Sequence, residues 1–372
     1  MSKIVSIATA VPPYKHAQEN ILTFMQNVYA MNEVDKRKMK FLYHQSGIKT
    51  RYSVLADYGL PANGWTFYPA TENLEPFPNL ELRMRWFNRL APALSVDAIE
   101  KCIENKINKD EITHLITVTC TGMSAPGLDL QVMEAMNLPN NIFRSSVNFM
   151  GCYAAIHALK LANAICNTDK NSKVVIVCTE LCTLHFQKEN SMDNIASSLL
   201  FGDGSAAVLV THDDHNLSGP RIKDFYSEVA FKGKKDMSWE LSSSGFLMTL
   251  SGYIPDLIEE DFNSLTENAL QHAACNKDDI THWCIHPGGK KILTAIEKSI
   301  AIPAESLQYS YNVLRDYGNM SSPTILFVLK EIMNELENTE NLAAGQAGKK
   351  ATILGAAFGP GLTLETFILS ND

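Results

Sequence analysis

The chain alternates short apolar runs with longer amphipathic stretches, and this alternation predicts an α/β protein. Residues 1–8 read as a strand closed by Pro12 and Pro13. Leu115–Cys120, Lys173–Cys178, Trp283–Ile285 and Lys350–Gly355 read as further strands. Amphipathic helices are expected over Asp97–Ile107 and Leu265–Cys275, and a helix of small residues over Ala154–Leu159. Lys36, Arg37, Lys38 and Lys40 read as the solvated face of another helix. The segment Ser53–Arg85, rich in Pro, Gly and aromatics, is expected to cover a pocket or an interface.

One phrase occurs twice. Asn108-Lys109-Asp110-Glu111-Ile112-Thr113-His114 returns 168 positions later, at Asn276 to His282, with Asp279 in place of Glu111. Each copy follows an amphipathic helix and leads into an apolar strand. The register persists, because Gly151-Cys152 and Gly318-Asn319 stand 167 positions apart and both are expected to open helices. The pattern predicts a duplicated α/β unit with a pseudo-twofold axis, its halves joined near Thr211–Pro220 and spanning 1–215 and 216–372. Related halves packed in this way bring equivalent strand ends and helix starts together at their junction.

Composition narrows the function. The chain has 372 residues, 45% of them hydrophobic and 20% charged, as in a soluble globular enzyme. A formal charge of −9 argues against general affinity for nucleic acid or anionic membrane. No apolar run approaches the roughly 20 residues of a membrane span, and the start lacks a signal-peptide pattern, so a cytoplasmic location is expected. The eight cysteines show no zinc-ligand spacing, so no metal is expected. Gly345-x-x-Gly348-Lys349-Lys350 lacks the Walker spacing and reads as a loop, and no nicotinamide or flavin fingerprint occurs.

Three residues stand out against this frame. Cys152 precedes a small-residue helix, where the helix dipole and free N–H groups favour a thiolate. His286 ends a strand beside Pro287-Gly288-Gly289, where backbone can approach a substrate closely. Asn319 is the symmetry mate of Cys152. A thiol, an imidazole and a neutral amide suit a thiolate nucleophile with an oxyanion site. The plain alternatives are a packed core cysteine, a strand-end histidine bonded to a carbonyl, and an asparagine helix cap. The repeat symmetry favours the catalytic reading. His157, five residues past Cys152, projects about 140° away around a helix and is a poor base for it. Asp203, in Phe201-Gly202-Asp203-Gly204, reads as a turn organiser.

On Gly151-Cys152, Phe201-Gly202-Asp203-Gly204, His286-Pro287-Gly288-Gly289, Gly318-Asn319-Met320-Ser321-Ser322 and Phe358-Gly359-Pro360-Gly361-Leu362-Thr363-Leu364-Glu365, the chain resembles the chalcone and stilbene synthases. These are the type III polyketide synthases, and the likeness is to their bacterial members. It implies the thiolase fold, two αβαβα halves, and a homodimer without a resident cofactor, its substrates being CoA thioesters. It implies that Cys152 takes an acyl group from an acyl-CoA starter and is held as a thiolate by His286. His286 and Asn319 would then stabilise the enolate formed when malonyl-CoA loses CO2, and the enolate would attack the acyl-Cys. Repeated rounds and cyclisation would give pyrones, resorcinols or phloroglucinol-type rings.

The same resemblance makes Phe201 a gate and places Met248 where the second gate phenylalanine stands. It lines the cavity with Cys120, Thr121, Cys182, His185 and Ser321, adds Glu180 close behind, and lets Trp239 intrude. Cys120 and His185 depart from the plant pattern, which argues against a flavonoid starter. Ala125 stands where plant dimers place a crossover methionine. Of the cations that hold CoA phosphates only Lys38 matches; Phe41 and Gln45 replace others and Lys40 compensates. Gly288 and Gly289 would pass the pantetheine arm. Competing readings are a ketoacyl synthase that stops after one round, a Cys-His-Asn thioester hydrolase, and a non-catalytic partner subunit of the same fold.

Overall fold

The computed structural model describes residues 1–71, 73–342 and 350–371. Runs rich in β-branched residues become strands where turn residues bound them. They are β1 (Ser2–Ala10), β2 (Tyr14–Ala17), β3 (Thr50–Ser53), β4 (His114–Thr119), β5 (Phe143–Asn148), β6 (Lys173–Leu181) and β7 (Asp203–His212). After Pro220 follow β8 (Arg221–Val229), β9 (Met237–Ser242), β10 (Gly245–Leu250), β11 (His282–Ile285), β12 (Thr352–Gly359) and β13 (Thr363–Ser370). The helices are α1 (Gln18–Val28), α2 (Glu33–Gln45), α3 (Leu80–Ile103), α4 (Leu128–Met136) and α5 (Ala154–Thr168). They continue with α6 (Met192–Leu200), α7 (Ile254–His272), α8 (Lys290–Ser299), α9 (Gln308–Tyr317) and α10 (Thr324–Leu342).

Nine strands form one sheet in the order β11-β12-β13-β8-β1-β7-β6-β4-β5. The halves meet in its middle, where Lys3 pairs with Arg221 and the Ile4 N–H donates to the Pro220 carbonyl at 3.0 Å. Moving outward from that seam, β1-β7-β6-β4 matches β8-β13-β12-β11 strand for strand. In each half two pairings are antiparallel and the outer one, β6 with β4 or β12 with β11, is parallel. The N-terminal half adds β5 at its edge. Among the described residues the C-terminal half has no fifth strand, and α9 occupies that stretch of chain.

Alternation along the strands separates two cores. Leu115, Val175 and Val177 face one side with α3, while Ile116, Val118, Val174 and Ile176 face the other with α5. The second core also holds Cys284, Ile353 and Phe367 of the C-terminal half and Ile325 and Leu329 of α10. Helices α5 and α10 therefore form a shared inner layer, with α3 on one outer face and α7 and α8 on the other. This is the layered α/β arrangement expected of the thiolase fold.

The repeated phrase builds the same device twice. At its first copy the Asn108 N–H donates to the Glu111 carboxylate at 2.8 Å; at its second, Asn276 donates to Asp279 at 3.0 Å. Both close a capping box around a short 3₁₀ turn. Thr113 and Thr281 then hook each strand start to its neighbour, donating N–H to the Lys173 and Thr352 carbonyls at 3.0 and 2.9 Å.

Three expectations need correction. The helices before the two copies are longer and end earlier, at Ile103 and His272, because Asn105 and Ala274 adopt left-handed conformations (φ 59° and 50°) that stop them. Of the two roles expected for the Ser53–Arg85 segment, cover of a pocket or of an interface, it does not supply the first for the reactive cavity. Its Tyr58, Phe67 and Tyr68 form an aromatic cluster with Phe24, and the fully buried Arg83 donates to the Pro78 and Phe186 carbonyls at 3.0 and 3.1 Å. Asn319 does not open a helix: α10 begins five residues later, whereas α5 begins two residues after Cys152. The Gly345–Lys349 stretch read as a loop lies outside the described residues.

Candidate active site

Cys152, His286 and Asn319 line one cavity of about 230 Å³. All three are buried, with 9%, 3% and 3% of their surfaces exposed. Cys152 reaches it from a turn between β5 and α5. Gly151 makes that turn with φ 84°, its N–H donating to Cys120 Sγ at 2.9 Å. A Cβ at Gly151 would lie 2.2 Å from Cδ of Pro360, which sits in the β12–β13 connection of the other half. Glycine is therefore required where the halves close over Cys152.

His286 follows β11 directly. Its N–H donates to the Ala356 carbonyl of β12, and its own carbonyl accepts from Gly288, both at 2.9 Å. The backbone is tied down while neither imidazole nitrogen has a hydrogen-bond partner. Buried polar atoms are rarely left so, and two on one ring indicate a place kept for a ligand. Burial alone pushes its pKa down to about 3.

Asn319 is clamped against the opposite half. It forms an isolated bridge with Phe201, donating N–H to the Leu200 carbonyl and accepting from Gly202, both at 2.9 Å. The Phe201 carbonyl in turn accepts from buried Arg51 at 2.6 Å. A Cβ at Gly318 would meet the Leu200 carbonyl at 2.7 Å, so this crossing also needs glycine. The Asn319 amide is oriented by the Ser321 N–H, which donates to its Oδ1 at 2.8 Å. Its Nδ2 makes a long contact of 3.5 Å to the Gly288 carbonyl. The amide therefore presents a donor, not an acceptor, to the cavity.

Burial pushes the Cys152 thiol up to about 11; hydrogen bonds from the Ser321 and Asn319 side chains oppose this, and the Glu180 carboxylate adds to it. With His286 shifted down, both groups favour their neutral forms. The resemblance implied a standing thiolate–imidazolium pair, and burial works against one.

The remaining candidates fall into two sets. Phe201, Met248, Cys120, Thr121, Cys182, His185, Ser321 and Gly288 line the cavity with the three above, and so does Trp239. Met248 and Trp239 face each other across the β9–β10 hairpin, which covers the cavity. Trp239 Nε1 donates to the Cys120 carbonyl at 2.7 Å, fixing the ring across the floor. His185 is structural: Nε2 donates to the Thr121 carbonyl at 2.8 Å, so Nδ1 accepts from the Phe246 N–H at 3.2 Å. Burial and nearby Arg83 hold its pKa near 3.

Glu180, Gly289 and Lys38 do not line the cavity. Glu180 lies behind it, fully buried, accepting from the Cys120 N–H and the hydroxyls of Thr121 and Ser322 at 2.9, 2.7 and 2.7 Å. Burial raises its pKa and those donors lower it. Gly289 is spent as the cap of α8. Lys38 is exposed on α2 and paired with Asp35 at 3.2 Å. Sequence reasoning missed Lys291, which does line the cavity. Its signal was the Lys290-Lys291 pair that follows the His-Pro-Gly-Gly run.

Comparison with known proteins decides the family. "Chalcone and stilbene synthases, N-terminal domain" matches residues 1–214, and "Chalcone and stilbene synthases, C-terminal domain" matches residues 226–371. The chain belongs to the chalcone and stilbene synthase family. It is 28% identical to type III polyketide synthase C of Arabidopsis thaliana, over 99% of the chain and 94% of that protein. It is also 28% identical to probable polyketide synthase 1 of Dictyostelium discoideum, covering all of the chain but only 11% of that protein. Among solved structures, PKS-I from the brown alga Ectocarpus siliculosus superposes with a TM-score of 0.91 at 26% identity, covering 99% of this chain and 97% of that one. The C-terminal type III polyketide synthase domain of Steely1, a Dictyostelium type I/III hybrid, superposes at 0.88 and 26% identity, covering 100% and 99%. This type III polyketide synthase family member matches such proteins over its whole length. Among its described residues no helix is long and apolar enough to cross a membrane.

Proposed function

We propose that the chain condenses malonyl-CoA iteratively onto an acyl-CoA starter carried on Cys152. The observation that carries this reading is the division of groups in the cavity. One half supplies a thiol, the other supplies two neutral nitrogen groups with free hydrogen-bonding capacity, and no described cavity-lining residue is acidic. Negative charge developing on a thioester oxygen would meet donors and no competing anion.

In the first step Cys152 Sγ attacks the starter carbonyl, the thiol proton passes to His286, and the CoA thiolate leaves with it. Malonyl-CoA then loses CO2, and the electrons of the broken C–C bond enter an enolate whose oxygen accepts from Asn319 Nδ2 and a protonated His286 nitrogen. The enolate carbon attacks the acyl carbonyl, and Cys152 leaves as the thiolate that begins the next round. The hydrolase alternative needs Asn319 to orient His286. Instead Asn319 Oδ1 is taken by Ser321, and both His286 nitrogens are unpartnered.

The cavity lies below the roughly 300–1,000 Å³ of pockets that enclose drug-sized ligands, with Trp239 fixed across it. Short starters and few extensions fit this space, closing to a small pyrone or aromatic ring. Strand β5 is an uncovered edge with Phe143 69% exposed, and we read it as the surface where a second copy pairs. The test is incubation with malonyl-CoA and a panel of acyl-CoA starters, following CO2 and products by mass spectrometry. Multi-ketide products are expected, longer in Trp239→Gly than in the unaltered chain. Free acid without extension would contradict the reading, and a single condensation would favour the ketoacyl synthase.

A further inference from the structure

Beyond the Lys3–Arg221 pair no ladder joins β1 to β8 among the described residues, although β1 continues on β7 as far as Ala10. Helix α10 meets β1 beyond that pair. Lys330, half-buried on α10, donates from Nζ to the Thr9 hydroxyl of β1 at 3.1 Å. No acid pairs with it among the described residues, and a hydroxyl holds an ammonium less strongly than a carboxylate does. Other inward-turned lysines are better held. Lys3 donates to the Asp213 and His215 carbonyls at 2.8 and 2.6 Å, and Lys160 and Lys173 are paired with Glu365 and Glu111.

The surroundings of Lys330 disfavour a cation. From α3 it feels Lys101, a like charge, and the buried Cys102 thiol. Lys101 is itself paired with Asp97 of the same helix at 2.7 Å. From β1 it meets the uncharged Thr9. Glu331, next on α10, interacts instead with Asn312, Arg315 and Asp316 of α9. Burial and Lys101 lower the Lys330 pKa, and Cys102 opposes them. The neutral amine, which is the nucleophilic form, is favoured accordingly.

We infer that Lys330 is a site of reversible carbamate formation with CO2. The ammonium first gives one proton to solvent. The nitrogen lone pair then attacks the carbon of CO2, a C–N bond forms, and one C–O π pair moves onto oxygen. A second nitrogen proton leaves to solvent. The side chain passes from cation to anion, so its repulsion with Lys101 becomes attraction. CO2 suits the place because it is small and uncharged, and the amine stands half-buried among α10, β1 and α3. The inference goes beyond the condensing reading and does not depend on it: dissolved CO2 supplies the reagent, and each proposed extension would add to it.

Trapping tests this without any turnover. The unaltered chain would be equilibrated with isotopically labelled CO2 in mildly alkaline buffer and treated with triethyloxonium ion, which ethylates carbamates irreversibly. Peptide mapping by mass spectrometry then locates the label. An ethyl carbamate is expected on Lys330, rising to saturation with CO2 pressure and exceeding that on exposed lysines such as Lys234. Lys330→Arg should lose it, and Lys101→Ala should shift half-occupancy to higher CO2. The mark on the unaltered chain is read directly, so the result stands whether or not either variant folds. No mark at Lys330, one no greater than on Lys234, or unchanged occupancy in a folded Lys101→Ala would each overturn the assignment. Condensation is scored separately, and its absence would count against the condensing reading alone.

Discussion

The two halves of the molecule share a frame and differ in what they present at the junction. Each runs four strands in the same order from the central seam and starts an inner strand with the same capping box. At equivalent glycines the N-terminal half offers a thiol, and the C-terminal half offers a carboxamide. The N-terminal half spends its extra strand on an open edge, while the C-terminal half replaces it with α9, which delivers Gly318 and Asn319 to a bridge with Phe201. The two equivalent glycines are followed by a thiol in one half and a carboxamide in the other, which under the proposed function are the carrier of the chain and the donor to its partner.

The comparison is most open to challenge at the nucleophile. Burial pushes the Cys152 thiol up to about 11 and His286 down to about 3, so it favours the neutral form of each. The thiolate fraction then rises as pH rises, so alkylation of Cys152 by iodoacetamide should increase about tenfold per pH unit between 6 and 9 without a plateau. Peptide mapping after timed labelling reads this directly. A rate that levels off below pH 7 would mean that the C-terminal half already holds a thiolate on Cys152.

A smaller effect sharpens the claim of equivalence. Asn108→Ala and Asn276→Ala each remove one of the paired caps, far from the cavity. Each should cost about 1 kcal/mol of stability, by similar amounts, with activity unchanged. Denaturant melts of the two variants would show a marked inequality if the repeated phrases did not do the same work.

Much of this frame was legible in the sequence because it is local. The Asn-to-acid spacing that closes a capping box is four residues long, and the apolar alternation of β4 and β6 is visible in the residues themselves. The meeting of Cys152, His286 and Asn319 followed from the repeat register. What was not legible depends on distant partners. Asn319 was expected at a helix start, and only its bridge to Phe201, more than a hundred residues away, holds it in extended form. Lys38 carries an acid three residues earlier, a signal present in the chain but outweighed by the family likeness. Trp239 reaches the cavity floor because the β9–β10 hairpin folds over it, which no local pattern specifies.

The central claim is that the halves divide the chemistry, and one experiment separates the parts. Cys152→Ala and Asn319→Asp would be incubated with labelled malonyl-CoA and an acyl-CoA starter, with CO2 release and acylation of the protein followed independently. The account predicts that Cys152→Ala still releases CO2 while forming no acyl-enzyme or extended product. It predicts that Asn319→Asp still acylates Cys152 but loses about a hundredfold or more in CO2 release, because an anion replaces the donor at the enolate oxygen. Loss of both steps together in each variant would contradict the division and with it the account of how this site works.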